Sequence, residues 1–235
     1  YKYYGIDPNN VYTWATERFE NQSQFWRSKE DCPGYGGMTM YDILYYVLPY
    51  QHERYWEDGT GRKMADYGMA VMNNLGGHAG FGDTSSLGSI GYWADIFRVV
   101  AWKLRDGRYR YASEHSHGAG RGSSNFFYND YFQDELPAEK PHDLMGVHVV
   151  PLPEWVYQNR EDVLGTAPSE MNPVLDADPT PPRDECFDKI TFRDSMNPED
   201  QYLIVGGISH GYHAHPDGNS LIEMTDESRY CLFDS

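Results

Sequence analysis

Three histidines and an aspartate fall within eight residues in the stretch Ser209-His210-Gly211-Tyr212-His213-Ala214-His215-Pro216-Asp217. His213 and His215 are two positions apart, so on an extended segment both side chains point to the same side. Two imidazoles on one side can bind a metal ion or share the work of moving protons. Asp234 closes the next apolar run and comes near His215 if the two segments pair. An aspartate with one or two histidines is a partial zinc set that lacks a ligand. The plain alternative is an aspartate ending a strand in a turn.

A second group is Asp31-Cys32-Pro33-Gly34-Tyr35-Gly36-Gly37. Tyr35 sits in a Gly-Pro bend just before a strong helical pattern, where a phenol can be held at the surface as acid or base. Turn tyrosines are also common without that role. The third group is Gly76-Gly77-His78-Ala79-Gly80-Phe81-Gly82-Asp83. Backbone bare of side chains lets a ligand approach closely. The same residues also suit an ordinary helix-helix loop with an N-cap among Asp83, Thr84 and Ser85. There is no phosphate-cradling G-x-x-x-x-G-K loop and no H-E-x-x-H zinc motif.

Positioning these groups falls to a chain with an unusual composition. Twenty tyrosines and six tryptophans help lift the aromatic share to 15%. Flat rings stack on sugar faces, although any single ring serves as readily to fill a core. The formal charge of −17 argues against nucleic acid as a partner, because phosphate contacts need Lys and Arg gathered on one face. A polyanionic substrate would need a locally basic cleft. The charge otherwise suits solubility in a salty or extracellular setting. No apolar run has the length of a membrane span. Cys32, Cys186 and Cys231 are scattered and odd in number, so they do not form a disulfide framework.

The first half has helical spacing. Residues 11–28 are rich in helix formers, and in 38–56 Tyr41, Leu44, Tyr45 and Leu48 make an apolar stripe. Residues 62–75 give a third candidate. Residues 93–104 are the clearest, with Trp93, Ile96, Phe97, Val100, Ala101 and Leu104 at 3.6 spacing and Asp106-Gly107 as the stop. Residues 111–141 are mixed, and repeated prolines between 151 and 182 read as an extended connection. The period then changes to two. Residues 189–193 and 201–205 read as strands, and 219–224 with 229–233 as a hairpin over Thr225-Asp226-Glu227-Ser228. Helices first and strands second predict a helical domain on an antiparallel β domain, an α+β organisation, rather than a βαβ sheet. The chain opens at Tyr1 and stops just after a strand-like run, so it reads as a piece of a longer protein.

These residues resemble the heparinase II/III-like polysaccharide lyases, which join an (α/α) toroid to an antiparallel β-sandwich. Cys32-Pro33-Gly34-Tyr35-Gly36 resembles the toroid segment with the catalytic tyrosine. Phe81-Gly82-Asp83-Thr84-Ser85 resembles a later Gly-Asp-Ser loop. Cys186-Phe187-Asp188-Lys189-Ile190-Thr191-Phe192-Arg193 and Asp200-Gln201-Tyr202-Leu203 resemble the opening strands of the sandwich. His213-Ala214-His215-Pro216-Asp217 resembles the H-x-H-x-D signature, and Leu232-Phe233-Asp234-Ser235 the strand after it. The pieces occur in the family's order across most of the chain.

The resemblance implies the end of a toroid over 1–140, an extended connection over 141–185 and the first sandwich strands over 186–235, incomplete at both ends. It implies β-elimination on a uronic-acid-containing polysaccharide. Tyr35 and His213 would be the acid-base pair, and His78, Asp83, His210 and Tyr212 the substrate contacts. His215 and Asp234 match ligands for a structural zinc. The carboxylate neutraliser is an Asn or His well before the tyrosine in relatives, and no Asn-His pair occurs in the 34 residues that precede Tyr35. The expected partners are an acidic polysaccharide and the remainder of the parent polypeptide, in a secreted or periplasmic setting. A uronyl C5-epimerase of the same fold and a non-catalytic carbohydrate-binding fragment are the alternatives.

Overall fold

Trp93 organises the helical layer. It opens α5 (Tyr92–Leu104), whose residues Trp93, Ile96, Phe97, Val100 and Ala101 are all buried, as the spacing predicts. In the computed structural model, which describes residues 8–49, 52–83, 92–117, 136–157, 179–208, 210–211 and 218–233, α5 packs against α2 (Pro33–Val47), α4 (Thr60–Val71) and α6 (Gly107–His115). Gly37 on α2 and Gly68 on α4 make room for the Trp93 ring, since a Cβ there would lie 2.7 and 2.3 Å from it. The indole Nε1 donates to the Pro33 carbonyl at 3.0 Å. Ser113 of α6 donates to the Ala94 carbonyl at 2.8 Å. The starts of α2 and α5 and the ends of α4 and α6 therefore share one end of the layer. α1 (Pro8–Gln22) and the short α3 (Arg54–Glu57) complete the described helices. None is long and apolar enough to cross a membrane.

Asp106-Gly107 does more than end α5. Asp106 is the N-cap of α6, its side chain accepting from the Arg108 N–H at 3.1 Å. A helix thus fills residues expected to be mixed.

The strands are β1 (Gly146–Val150), β2 (Lys189–Arg193), β3 (Tyr202–Gly206), β4 (Leu221–Asp226) and β5 (Arg229–Phe233). They form one antiparallel sheet in sequence order. β1 lies within the proline-rich stretch expected to be a connection, and it pairs along its whole length with β2. The hairpin turn is tighter than expected. Thr225 and Asp226 belong to β4, and Glu227 and Ser228 turn the chain with φ of 48° and 60°, the left-handed geometry a two-residue hairpin favours.

The sheet docks on the end of α4. Arg193 is buried and points its guanidinium at the last carbonyls of that helix, with Nη2 donating to Met72 O at 2.6 Å and Nη1 to Asn74 Oδ1 at 2.9 Å. A cation there satisfies orphan carbonyls and complements the helix dipole. Tyr202 adds a bond to Ala70 O at 3.1 Å. The face of the sheet turned to the helices is largely polar: Lys189, Thr191, Arg193, Glu223 and Thr225 are buried there beside Tyr202 and Ile204. The opposite face carries Val147, Val149, Ile190, Phe192, Leu203, Val205, Met224 and Leu232, all exposed or half-buried.

Candidate functional site

Where the sheet meets the lead-in to α2, five ionisable side chains are buried together. Arg27 Nη2 donates to Asp31 Oδ1 at 2.9 Å, and Arg27 Nε lies 3.3 Å from Asp188 Oδ2. Lys189 Nζ reaches Asp188 Oδ1 at 2.7 Å and Asp31 Oδ1 at 3.5 Å. Arg27 Nη1 donates to His210 Nε2 at 3.4 Å, and that nitrogen lies 3.7 Å from Asp188 Oδ1. Burial alone would raise both aspartate carboxyls, but the Lys189 and Arg27 charges outweigh it and hold them below the usual carboxylate range. Burial would likewise lower Arg27 and Lys189. Asp188 and Asp31 reverse that and keep both cations charged.

The donor atoms of Asp31, Asp188 and His210 lie within 4.8 Å of one another, a spacing that can hold a metal ion. The chemistry of the set does not fit one. Two buried cations already balance two carboxylates, and a divalent ion would sit against Arg27 and Lys189 without compensating charge. The group is an ion network. The zinc ligands that the resemblance implies, His215 and Asp234, lie outside the described residues.

Tyr35 stands in the first turn of α2 and is exposed. Pro33 at the helix start suits that position, since its missing N–H costs nothing there. His213 lies outside the described residues, as does Tyr212. The two residues before them are fixed. His210 donates its backbone N–H to Asp31 Oδ2 at 3.1 Å. Gly211 has φ +83°, and a Cβ there would lie 2.2 Å from the Lys29 carbonyl oxygen. Only glycine permits both that backbone angle and that approach. The lead-in to the His-rich segment therefore rests on the lead-in to the Tyr35 helix.

Of the expected substrate contacts, Asp83 is exposed. The other two described ones, His78 and His210, lie in the interior. The His210 side chain is fully buried in the ion network, its ring set edge-on to Trp155. His78 is stacked on Trp93 at 5.1 Å, and burial pushes its imidazole down to about 3, so it is a neutral core residue. Gly207-Ile208-Ser209-His210-Gly211 also spells the G-x-S-x-G pattern of serine hydrolases. That elbow joins a parallel-sheet strand to a helix. Here the segment follows antiparallel β3 and its histidine is in the ion network.

A further constellation was not expected. Asn73, just past α4, takes the Leu75 and Gly77 N–H groups on Oδ1 at 2.9 and 3.0 Å. Its Nδ2 donates to Glu223 Oε1 at 2.7 Å and to the Tyr230 hydroxyl at 3.2 Å. A Cβ on Gly77 would lie 3.1 Å from Tyr230 OH and 3.4 Å from His117 Nδ1. Glu223 is fully buried, and its Oε2 has no partner among the described residues. Burial pushes its carboxyl up to about 7, against the bonds from Asn73 and the Gly80 N–H. Asn73 thus holds a buried carboxyl and a phenol together, apart from the ion network. The Gly-rich loop signalled half of this site. Glu223 was hidden by a bulge between Ile204 and Val205 pairings, which lets both Ile222 and Glu223 turn inward.

No family model matches the chain, and no curated protein or solved structure is similar to it at a significant level.

Proposed function

We propose that the chain is part of a polysaccharide lyase that cuts uronic-acid-containing chains by β-elimination, with Tyr35 and His213 exchanging the protons. The observation that carries this reading is the seating of His210 and Gly211 on Asp31 and Lys29. Tyr35 follows Asp31 by four residues and His213 follows His210 by three in the sequence, and that nearness to a shared contact supports the pairing. In the reaction a base takes the C5 proton and the electron pair forms the C4–C5 double bond. The C4–O bond breaks, and an acid gives a proton to the leaving oxygen. The uronate carboxylate must be neutralised first. Arg27 and Lys189 cannot do this, since both are committed to buried aspartates. We assign that role to the remainder of the parent polypeptide.

The finer architecture belongs to the same proposal. The helices are the end of an (α/α) toroid and the sheet is the first layer of a β-sandwich. The apolar outer face of the sheet supports this, because such a face calls for a second sheet packed about 10 Å away. In this reading the protein works outside the cytoplasm.

The test is incubation of the full-length protein with alginate, chondroitin sulfate, heparan sulfate and ulvan. A lyase generates an unsaturated product that absorbs in the near ultraviolet. Exchange of the C5 proton with deuterated solvent, without that product, would make it the epimerase. Binding without either would leave a carbohydrate-binding fragment.

A further inference from the structure

We infer that the β4–β5 hairpin is a pH-sensitive latch, closed on the loop after α4 while the Glu223 carboxyl keeps its proton and opened when that carboxyl ionises. The latch is independent of the lyase reading. Its hub is Asn73. Asn73 Oδ1 takes the Leu75 and Gly77 N–H groups at 2.9 and 3.0 Å, which fixes the amide so that its NH₂ faces the strands. Nδ2 then donates to Glu223 Oε1 on β4 at 2.7 Å and to the Tyr230 hydroxyl on β5 at 3.2 Å. One side chain thus joins the end of α4 to both strands of the hairpin.

Glu223 is the part of this junction that can change charge. It is fully buried, and its Oε2 has no hydrogen-bond partner among the described residues. A neutral carboxyl tolerates that place, whereas an ionised one there costs far more. Among the described residues no cation pairs with it. Arg193 is bonded to Met72 O, and Lys189 is held between Asp31 and Asp188. On the elements around it stand His78 in the loop after α4, Tyr202 on β3, Tyr230 on β5 and His117 after α6. Asp226 and Arg229 lie at the turn end of the hairpin. Burial keeps His78 neutral and pushes both phenols up, so none of those three changes charge where Glu223 does.

The hairpin is the side that gives way. The ladder is irregular on both sides of Glu223, between the Ile204 and Val205 pairings with β3 and between the Met224 and Thr225 pairings with β5. Thr225, the next inward residue of β4, also has a buried hydroxyl with no partner among the described residues. Opening here lets water reach both groups. In the closed hairpin the Glu223 carboxyl titrates at about 7, and in the opened one near its ordinary 4.5. Opening releases a proton between those values, so closure weakens as pH rises from 4.5 to 7 and no further. From pH 5.5 to pH 8 the open fraction rises roughly thirtyfold.

The experiment is native-state amide exchange of the full-length protein at pH 5.5 and 8, with and without low urea. Rates are expressed as protection relative to the unstructured chain, for wild type and Glu223→Gln. In wild type, amides of residues 222–231 are expected to lose roughly thirtyfold of their protection between the two pH values, and in the variant to keep it. Their exchange should be insensitive to urea, because little surface opens, while β2 amides stay better protected and exchange faster as urea is added. The variant retains His117, so a loss that persists in it belongs to another group and overturns the latch. So does equal protection of β2 and the hairpin with one urea dependence, which is unfolding of the whole chain. Should Glu223→Gln fail to fold, wild type decides alone. The loss must level off at the pH where the Glu223 carboxyl carbon titrates by NMR, and levelling elsewhere overturns the latch.

Discussion

Replacing Glu223 by Gln should remove a pH dependence that wild type carries. Glu223 is buried at the junction of β4 with the loop after α4, and its carboxyl is pushed from 4.5 up to about 7 by burial. Between those values the folded protein holds this proton and the unfolded chain does not, so unfolding releases it and stability falls as pH rises. Below about 4.5 both states are protonated, and above about 7 both are ionised, so the effect is confined to that window. Each unit is worth about 1.4 kcal/mol, which makes the loss about 3 kcal/mol from this one group. Gln keeps an oxygen for the Asn73 and Gly80 donors but has no proton to lose. Its NH₂ replaces the unpartnered Oε2, and any cost of burying it is the same at every pH. Other titrating groups are common to both proteins and cancel. Urea unfolding at pH 4.5, 6 and 8 should therefore show the variant gaining on wild type by about 3 kcal/mol across the range. Parallel stability curves for the two proteins would refute the reasoning.

Tyr35→Phe in the full-length protein should abolish most elimination while leaving the melting temperature in place, since an exposed hydroxyl is lost; undiminished product formation would remove Tyr35 from the mechanism. Gly68→Ala places a methyl 2.3 Å from the Trp93 ring, which Pro33 and His78 hold in place. Overpacking costs about 1–3 kcal/mol and exceeds the helix-propensity gain of roughly 1 kcal/mol, so a lower melting temperature is expected and an equal or higher one counts against the packing argument. If His215 and Asp234 hold a structural zinc, metal analysis of purified full-length protein will find zinc in wild type and less in His215→Ala. Equal content in the two excludes that pair as ligands.

The helical half was legible because its signal is carried by periodicity. Trp93, Ile96, Phe97, Val100 and Ala101 announce a buried stripe, and all five are buried. The start of α6 was misread, because Asp-Gly serves equally as a helix stop and as an N-cap followed by a first turn. Only the Arg108 N–H bond to Asp106 distinguishes them. The site was legible in part. The Gly-Pro bend put Tyr35 just before a helix and at the surface; it is exposed, but α2 starts at Pro33 and takes Tyr35 into its first turn. A histidine's type, by contrast, says nothing about its exposure. His78 and His210 looked like ligands in glycine-rich surroundings. In both cases the glycines let backbone pack closely and take the ring inside: Gly77 borders Asn73 and Tyr230, and Gly211 meets Lys29.

The sheet shows why polarity misleads about which side of a strand is inside. Lys189-Ile190-Thr191-Phe192-Arg193 alternates cleanly, and the ordinary inference would turn Ile190 and Phe192 to the core and the charges to water. The reverse holds. Lys189, Thr191 and Arg193 are buried against the helices, while Ile190 and Phe192 are only half-buried. The inner positions are tolerable because each charge meets a partner that the helical layer supplies: Asp31 for Lys189, and the carbonyls ending α4 for Arg193. That pairing is specific to one docking geometry. A slip of one residue would turn both cations to the outer face and set Ile190 and Phe192 against Asp31 and the carbonyls ending α4, leaving those buried acceptors without their donors, which costs more than burying the two apolar side chains could return. The polar inner face thus fixes the register of sheet on helices, and the outer face, where Val147 and Val149 are exposed, is the one that the proposed sandwich would cover with its second sheet.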